Sequence, residues 1–240
     1  MLVSFFPQAS LGIAVAPFTF FYLNRKGAII MLFIKPETVF ESEIISMARE
    51  ARHEIDRIYL HWTAGHYGQA YDDYHFNIDK DGTVHKTCSC LTEKKAHTWR
   101  RNSRSIGIAL ECGCGASVSV PVGAWEEQLL GVPSGRKRKY PIFSAEVDYG
   151  PEEPTQQQVE CMAKIVALLC LYLDIPITED TVMTHAEAAV ADGYGPCSGD
   201  PEIRWDLWFL PDPTIGSDLY PGGEVIRGKA AWYQLQRAIA

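Results

Sequence analysis

The chain has 240 residues, of which 47% are hydrophobic and 22% charged, and its formal net charge is −8 at pH 7. This length fits one ample domain with a small appendage, and the acidic balance argues against a general nucleic-acid binder, which would more often be basic. The seven cysteines are an odd number, which argues against a fully paired disulfide framework.

The N-terminal segment is strongly apolar. Residues 1–23 carry no charge and are long enough to span a membrane, but Pro7 and Pro17 interrupt them. The basic residues follow this stretch, whereas a secretory signal places them before it. We therefore treat residues 1–34 as an apolar segment outside the main domain, with a membrane or export role as the alternative. Without a convincing signal, we expect synthesis in the cytoplasm, with the cytoplasm or the cell wall as the final site.

The next part of the chain predicts a helix followed by several strands. Residues 41–55 have apolar side chains at helical spacing, and residues 57–63 are rich in strand-forming types. The stretch YHFNIDKDGTVHKT alternates around Asp81 and Gly82, which is a strong hairpin signal. The run SIGIALEC at residues 105–112 predicts another buried strand.

The second half of the chain begins with an irregular stretch. Residues 113–154 are rich in Gly and Pro and include the basic run RKRK, which predicts a long surface insertion. Residues 155–174 predict the best helix of the chain, with Thr155 as its N-cap. Residues 213–240 predict a tail that ends in a short helix at KAAWYQLQRAIA. Strands that alternate with helices indicate an α/β or α+β sheet domain.

Two histidines lie where predicted strands end. His61 precedes a turn of small residues, and His185 follows the apolar run TVMT. A catalytic zinc site needs about three nitrogen, oxygen or sulfur ligands and one open position. Downstream, the stretch GPCSGDPEIRWD offers Asp200 or Cys197 as a third ligand. A histidine at a strand end is also often structural, so spacing alone leaves both interpretations open.

Four stretches, in this order, resemble the zinc-dependent N-acetylmuramoyl-L-alanine amidases of type 2, which are related to peptidoglycan recognition proteins. They are IYLHWTAG, YHFNIDKDGTVHK, KAHTWRRNSRSIGIALE and the long stretch from TQQQVECMAK through TVMTHAE to GDPEIRWDL. Together they cover roughly residues 55–210. The resemblance implies a central mixed β-sheet flanked by helices, with the zinc amidase domain at residues 35–212.

The resemblance also implies a role for each matching residue. His61, His185 and Asp200 match the three zinc ligands of the family, with Cys197 as the rival third ligand, because some members use cysteine there. Glu111 matches the acidic residue thought to act as general base.

Three further positions fall where the family faces its substrate: His97, Asn102 and Ser198. The family often has a lysine where Ser198 stands, and a neutral hydroxyl stabilises an oxyanion less well than a lysine does.

The implied activity is hydrolysis of the amide bond between N-acetylmuramic acid and L-alanine of the peptidoglycan stem peptide, with Zn²⁺ as cofactor. We expect peptidoglycan or a soluble muropeptide as the substrate, no nucleic acid or strong membrane partner, and a monomer. Members of the family serve in recycling, as phage or prophage lysins, or as exported enzymes. The alternative is a non-catalytic peptidoglycan-binding module, because recognition-type relatives keep the cleft and lose the metal ligands.

Overall fold

The structure is a computed structural model, and it describes residues 19–23, 29–33, 36–119, 146–193, 205–211 and 219–239. The chain divides into two units, Met1–Lys35 and Pro36–Ala240. In the first unit, strands β1 (Thr19–Leu23) and β2 (Ile29–Phe33) pair antiparallel. The second unit contains all the remaining elements described here.

The second unit mixes strands and helices along the chain. Its strands are β3 (Glu37–Thr38), β4 (Arg57–Trp62), β5 (Phe76–Ile78), β6 (Val84–Lys86), β7 (Ser105–Leu110), β8 (Ser117–Ser119), β9 (Glu146–Asp148), β10 (Val182–Thr184), β11 (Phe209–Pro211) and β12 (Leu219–Pro221). Its described helices are α1 (Glu41–Glu50), α2 (Gln156–Leu173), α3 (His185–Asp192) and α4 (Gly222–Ile239).

Six strands form one mixed sheet in the order β10-β4-β7-β5-β6-β3. The first four run parallel, and β6 and β3 continue antiparallel. Parallel neighbours need crossover connections, and α2 lies in the connection between β4 and β10. The predicted mixed sheet flanked by helices is confirmed.

One face of this sheet is covered by helix α2. The helix begins as predicted, since the Thr155 hydroxyl accepts a hydrogen bond from the Gln158 backbone N–H and the Gln158 side chain returns one to Thr155. Its apolar residues belong to the same buried cluster as the inward side chains of the central strands. Helix α2 also packs against α1 and α4.

Helix α4 corrects one prediction. The expected short helix in the tail begins earlier, at Gly222, and is 18 residues long. Two glycines open it and lowered its apparent helical propensity. Gly222 is required at the start of the helix because there is no room for a side chain. A Cβ at Gly222 would lie 1.9 Å from the Leu207 carbonyl oxygen.

Two short hairpins complete the described second unit. Strands β8 and β9 pair antiparallel within the predicted insertion, and β11 pairs with β12. The basic run RKRK lies outside the described residues. None of the helices in the described part of the chain is long and apolar enough to cross a membrane.

Candidate metal centre

His61 is delivered by the central strand β4. The strand alternates, so that Ile58, Leu60 and Trp62 join the main core while Tyr59 belongs to a small cluster on the opposite face. His61 shares the face of Tyr59 and is fully buried. The strand therefore presents an imidazole on the face that helix α2 does not cover.

His185 lies beside His61 because their strands run parallel. Leu60 pairs with Thr184 across β4 and β10, which places the next residue of each strand side by side. The two imidazole ring centroids are 4.8 Å apart. Thr184 ends β10 and caps helix α3 through a reciprocal pair of hydrogen bonds with Glu187, so His185 is fixed as the first helical residue.

Asp206 completes the cluster from a third segment. Its backbone carbonyl accepts a hydrogen bond from the Ala186 N–H at the start of α3. The preceding residue, Trp205, packs edge-on against Trp62 with ring centroids 4.7 Å apart. The Asp206 Oδ2 atom lies 3.2 Å from His61 Nδ1 and 3.1 Å from His185 Nδ1.

The electrostatics keep His61 and Asp206 in the protonation states that a metal requires. Burial lowers the pKa of His61 to about 4, although the hydrogen bond to Asp206 acts in the opposite direction. Burial alone would raise the pKa of the Asp206 carboxyl, but His185 and His61 hold it well below its ordinary value. At neutral pH the cluster therefore contains a neutral His61 imidazole beside an ionised carboxylate.

These three side chains fit a divalent metal ion. One ligand atom from each of His61, His185 and Asp206 lies within 4.8 Å of the other two. Ligands of a tetrahedral zinc ion at about 2.0–2.1 Å are roughly 3.3 Å from one another, close to both distances from Asp206. Two imidazole nitrogens and one carboxylate oxygen also form a common catalytic zinc set, which leaves a fourth position open.

The predicted third ligands are not part of the described structure. Asp200 and its rival Cys197 lie outside the described residues, and so does Ser198, which was expected to face the substrate. The carboxylate that the structure brings to the two histidines is Asp206, which the sequence analysis missed. Its signal is the stretch RWDLW, in which one acidic residue stands between aromatic residues.

Glu111 lies on the same face of the sheet as the cluster. His61, Ala109, Asn77 and His85 are register partners across four adjacent strands, so their side chains share one face. Glu111 is fully buried there, and its Oε1 lies 3.0 Å from His85 Nδ1.

The buried Glu111 carboxylate has one oxygen atom that no described group hydrogen-bonds. Burial raises its pKa above the ordinary range, while the hydrogen bond from His85 acts in the opposite direction. Among the described residues, the Oε2 atom has no hydrogen-bond partner. A buried carboxylate with a raised pKa and a free oxygen is suited to accept and return a proton.

His97 and Asn102, the two described residues expected to face the substrate, are engaged inside the protein. The His97 ring is buried, with Nδ1 2.9 Å from the Thr98 hydroxyl and Nε2 3.4 Å from the Ser105 hydroxyl. Burial, with its histidine neighbours, lowers the pKa of His97 to about 2. The Asn102 Oδ1 atom accepts a hydrogen bond from the Thr98 backbone N–H at 2.7 Å. Contact of these residues with substrate stays a prediction.

Tyr74 is a second neighbour that the sequence analysis did not single out. Its ring centroid lies 5.0 Å from that of His61. Burial, reinforced by the Asp206 charge, raises the pKa of Tyr74 far above its ordinary value. The Tyr74 hydroxyl is therefore protonated at neutral pH, and it donates a hydrogen bond to the Trp62 carbonyl at 3.5 Å.

Comparison with known proteins now decides the family. Residues 51–200 match the profile of the family described as N-acetylmuramoyl-L-alanine amidase. The chain belongs to this amidase family. No curated protein and no solved structure gave a significant match.

Membership supports a peptidoglycan amidase activity in general, and therefore peptidoglycan as the class of substrate. The amidase match contains His61 and His185 and ends at Asp200, whereas Asp206 lies beyond it.

Proposed function

We propose that this amidase is a zinc enzyme that hydrolyses the bond between the lactyl group of N-acetylmuramic acid and L-alanine of the stem peptide. The observation that carries the proposal is the cluster of His61, His185 and Asp206, whose ligand atoms lie within 4.8 Å of one another. The side chains of His185 and Asp206 are 16% and 18% exposed, so the cluster is accessible from solvent although His61 is buried.

We assign Asp206 as the third ligand in place of Asp200. The Asp206 Oδ2 atom lies at nearly equal distances from the two imidazoles. The backbone hydrogen bond to Ala186 and the packing of Trp205 both hold it there. A bound zinc ion lowers the pKa of a coordinated water to about 7 and polarises the scissile carbonyl.

Glu111 is our candidate for the group that takes a proton from the attacking water and passes it to the leaving amine. Amide hydrolysis needs such a group, because an amine leaves poorly until it is protonated. The raised pKa of Glu111 supports this role, and so does its Oε2 atom, which has no hydrogen-bond partner within the described part of the chain. In this structure Oε1 is paired with His85, which leaves Oε2 as the oxygen that would take up the proton.

Mass spectrometry of the products tests the proposal. The protein, loaded with zinc, is incubated with intact peptidoglycan and with small soluble muropeptides. We expect release of stem peptides with a free L-alanine N-terminus. The variant His185→Gln keeps a polar side chain of similar size but removes the ligand nitrogen, and it should release none.

The substitution His53→Gln is the matched control, because His53 is an exposed histidine. It should retain full activity. If the wild-type protein binds muropeptides but releases no stem peptide, the non-catalytic binding module is correct. Cleavage at a different bond would be consistent with the proposed metal site but would overturn the proposed bond specificity.

A further inference from the structure

A chain of buried hydrogen bonds leads away from the metal cluster into the protein. His61 Nε2 lies 3.3 Å from Thr98 Oγ1, which lies 2.9 Å from His97 Nδ1. On the other side of that ring, His97 Nε2 lies 3.4 Å from Ser105 Oγ, which donates to the Arg101 carbonyl at 2.8 Å. His61, Thr98, His97 and Ser105 are each at most 5% exposed, so water does not compete for these bonds.

The backbone carbonyl at the far end fixes the direction of every bond. The Arg101 carbonyl can only accept, so the single proton of the Ser105 hydroxyl is committed to it. Ser105 Oγ must then accept from His97 Nε2–H. A neutral imidazole carries one N–H, which leaves His97 Nδ1 as an acceptor for the Thr98 hydroxyl proton. Thr98 Oγ1 in turn can only accept from His61, and His61 must therefore carry its proton on Nε2.

We propose that the chain Thr98–His97–Ser105 holds His61 in the tautomer whose Nδ1 lone pair faces Asp206 and His185. We call these three side chains the tautomer relay. Two electron-rich atoms, His61 Nδ1 and Asp206 Oδ2, then face each other at 3.2 Å with no proton from His61 between them. Such a pair attracts a cation, and the relay thereby prepares the site for metal. The part of this inference that concerns metal rests on the zinc function proposed above.

Contacts with neighbouring residues hold the side chains of the tautomer relay in place. Thr98 is fixed through its backbone N–H, which donates to Asn102 Oδ1 at 2.7 Å. The His97 ring lies directly over Gly107, where a Cβ would come within 2.6 Å of the His97 Cγ atom. Arg101, which supplies the terminal carbonyl, is anchored by two hydrogen bonds of 2.7 Å to Asp192 in helix α3.

These contacts give His97, Thr98 and Ser105 a positioning role rather than a catalytic one. Hydrogen bonds to the second nitrogen of a metal-bound imidazole orient the ring and select its tautomer, and their loss typically costs about 10–100-fold in metal affinity or activity. Asn102 acts one step further away, by holding Thr98.

The first measurement is made on the metal-free protein and needs no activity. With ¹⁵N-labelled histidine, two-bond ¹H–¹⁵N correlation spectra show which nitrogen of each ring carries the proton, and the His61→Gln variant assigns the His61 signals. We expect the proton on Nε2 in both His61 and His97. In Thr98→Val, which keeps the side-chain shape without the hydroxyl, we expect the His61 proton to move toward Nδ1, where Asp206 accepts it. A wild-type His61 protonated on Nδ1 would overturn the relay.

The second measurement is zinc affinity by competition with a chelator. We expect Thr98→Val to bind zinc about 10–100-fold more weakly than the wild type, and Thr98→Ser, which keeps the hydroxyl, to bind within a few-fold. Thr38→Val on exposed strand β3 is the control and should bind like the wild type. Equal affinities for Thr98→Val and the wild type would contradict the relay.

A second variant covers the case in which Thr98→Val does not fold. Ser105→Ala removes the acceptor of His97 Nε2–H and should weaken zinc binding to a smaller extent, while Ser46→Ala on exposed helix α1 should not. Equal affinities for Ser105→Ala and the wild type would contradict the relay in that case. If the wild-type protein binds no zinc, the proposed function fails, and the spectra of the metal-free protein still decide the tautomer.

Discussion

The two faces of the six-stranded sheet differ in what their buried side chains do. The face under helix α2 is apolar, with Ile58, Ile106 and Ile108 among its fully buried residues. The opposite face buries polar residues just as completely, including His61 and Glu111. Burial of apolar side chains stabilises the folded protein by itself. A buried imidazole or carboxylate loses its hydration, which hydrogen bonds within the protein replace only in part. The polar face is therefore organised for binding and chemistry, and substitutions on the two faces should have separable effects.

The largest effect is expected on the polar face. Replacing Glu111 with Gln keeps the size of the side chain but removes its ability to take up a proton. We expect kcat to fall by about 10²–10⁴-fold, while the zinc content stays at the wild-type level. Glu50 is an exposed residue of helix α1, and Glu50→Gln is the control. A rate for Glu111→Gln within two-fold of the wild type would remove Glu111 from the reaction.

On the apolar face, Ile108→Ala should act on stability alone. Ile108 is fully buried within the main core, so truncation leaves a cavity and should cost about 2–5 kcal/mol in the free energy of unfolding. Urea titration measures this loss, and chelator competition on the folded variant should give an unchanged zinc affinity. A marked loss of zinc affinity would show that the two faces are coupled.

Gly107→Ala should affect both properties, because this glycine lies under the His97 ring. The added Cβ would lie 2.6 Å from the His97 Cγ atom, so either the ring or the strand must move. We expect a loss of about 1–3 kcal/mol in stability, together with weaker zinc binding. Gly228→Ala in helix α4 is the matched control, since an added Cβ there meets nothing within 4 Å, and it should be stabilising by up to about 1 kcal/mol.

The smallest effect is a dependence of stability on pH. Burial lowers the pKa of His75 from 6.5 to about 4, while its Nε2 lies 2.8 Å from the Glu93 carbonyl. Between these pH values the unfolded chain binds a proton that the folded chain does not, so stability falls as the pH falls. The contribution of His75 is at most about 1.4 kcal/mol per pH unit.

Urea unfolding of the metal-free protein at pH 7, 6 and 5 measures this slope. The His75→Gln variant should lose stability less steeply than the wild type over the same interval. Identical slopes would show that His75 takes up a proton in the folded protein as readily as in the unfolded chain.

Much of this arrangement could be predicted from local sequence pattern. The strands around His61 and Glu111, the hairpin at Asp81 and the cap at Thr155 all follow from short-range periodicity and turn chemistry. Parallel strands end at the same edge of a sheet, which is why two strand-end histidines far apart in sequence were good candidates for one site.

The acidic residue of the cluster could not be predicted in this way. Asp206 lies in an irregular segment whose position depends on the packing of Trp205 against Trp62 and on one backbone hydrogen bond to helix α3. Neither contact has a periodic signature. The family resemblance implies the Asp-Pro pair at residue 200 as the ligand position, and RWDLW carries no such match. The three members of the tautomer relay lie close together in sequence, but their link to His61 is made only by the fold.

Zinc content per chain, measured by elemental analysis of the wild type, Asp206→Asn and Asp200→Asn, decides the composition of the metal centre. We predict about one zinc ion per chain in the wild type and in Asp200→Asn, and a large loss in Asp206→Asn. Retention of zinc by Asp206→Asn with loss from Asp200→Asn would contradict the centre of His61, His185 and Asp206 described here.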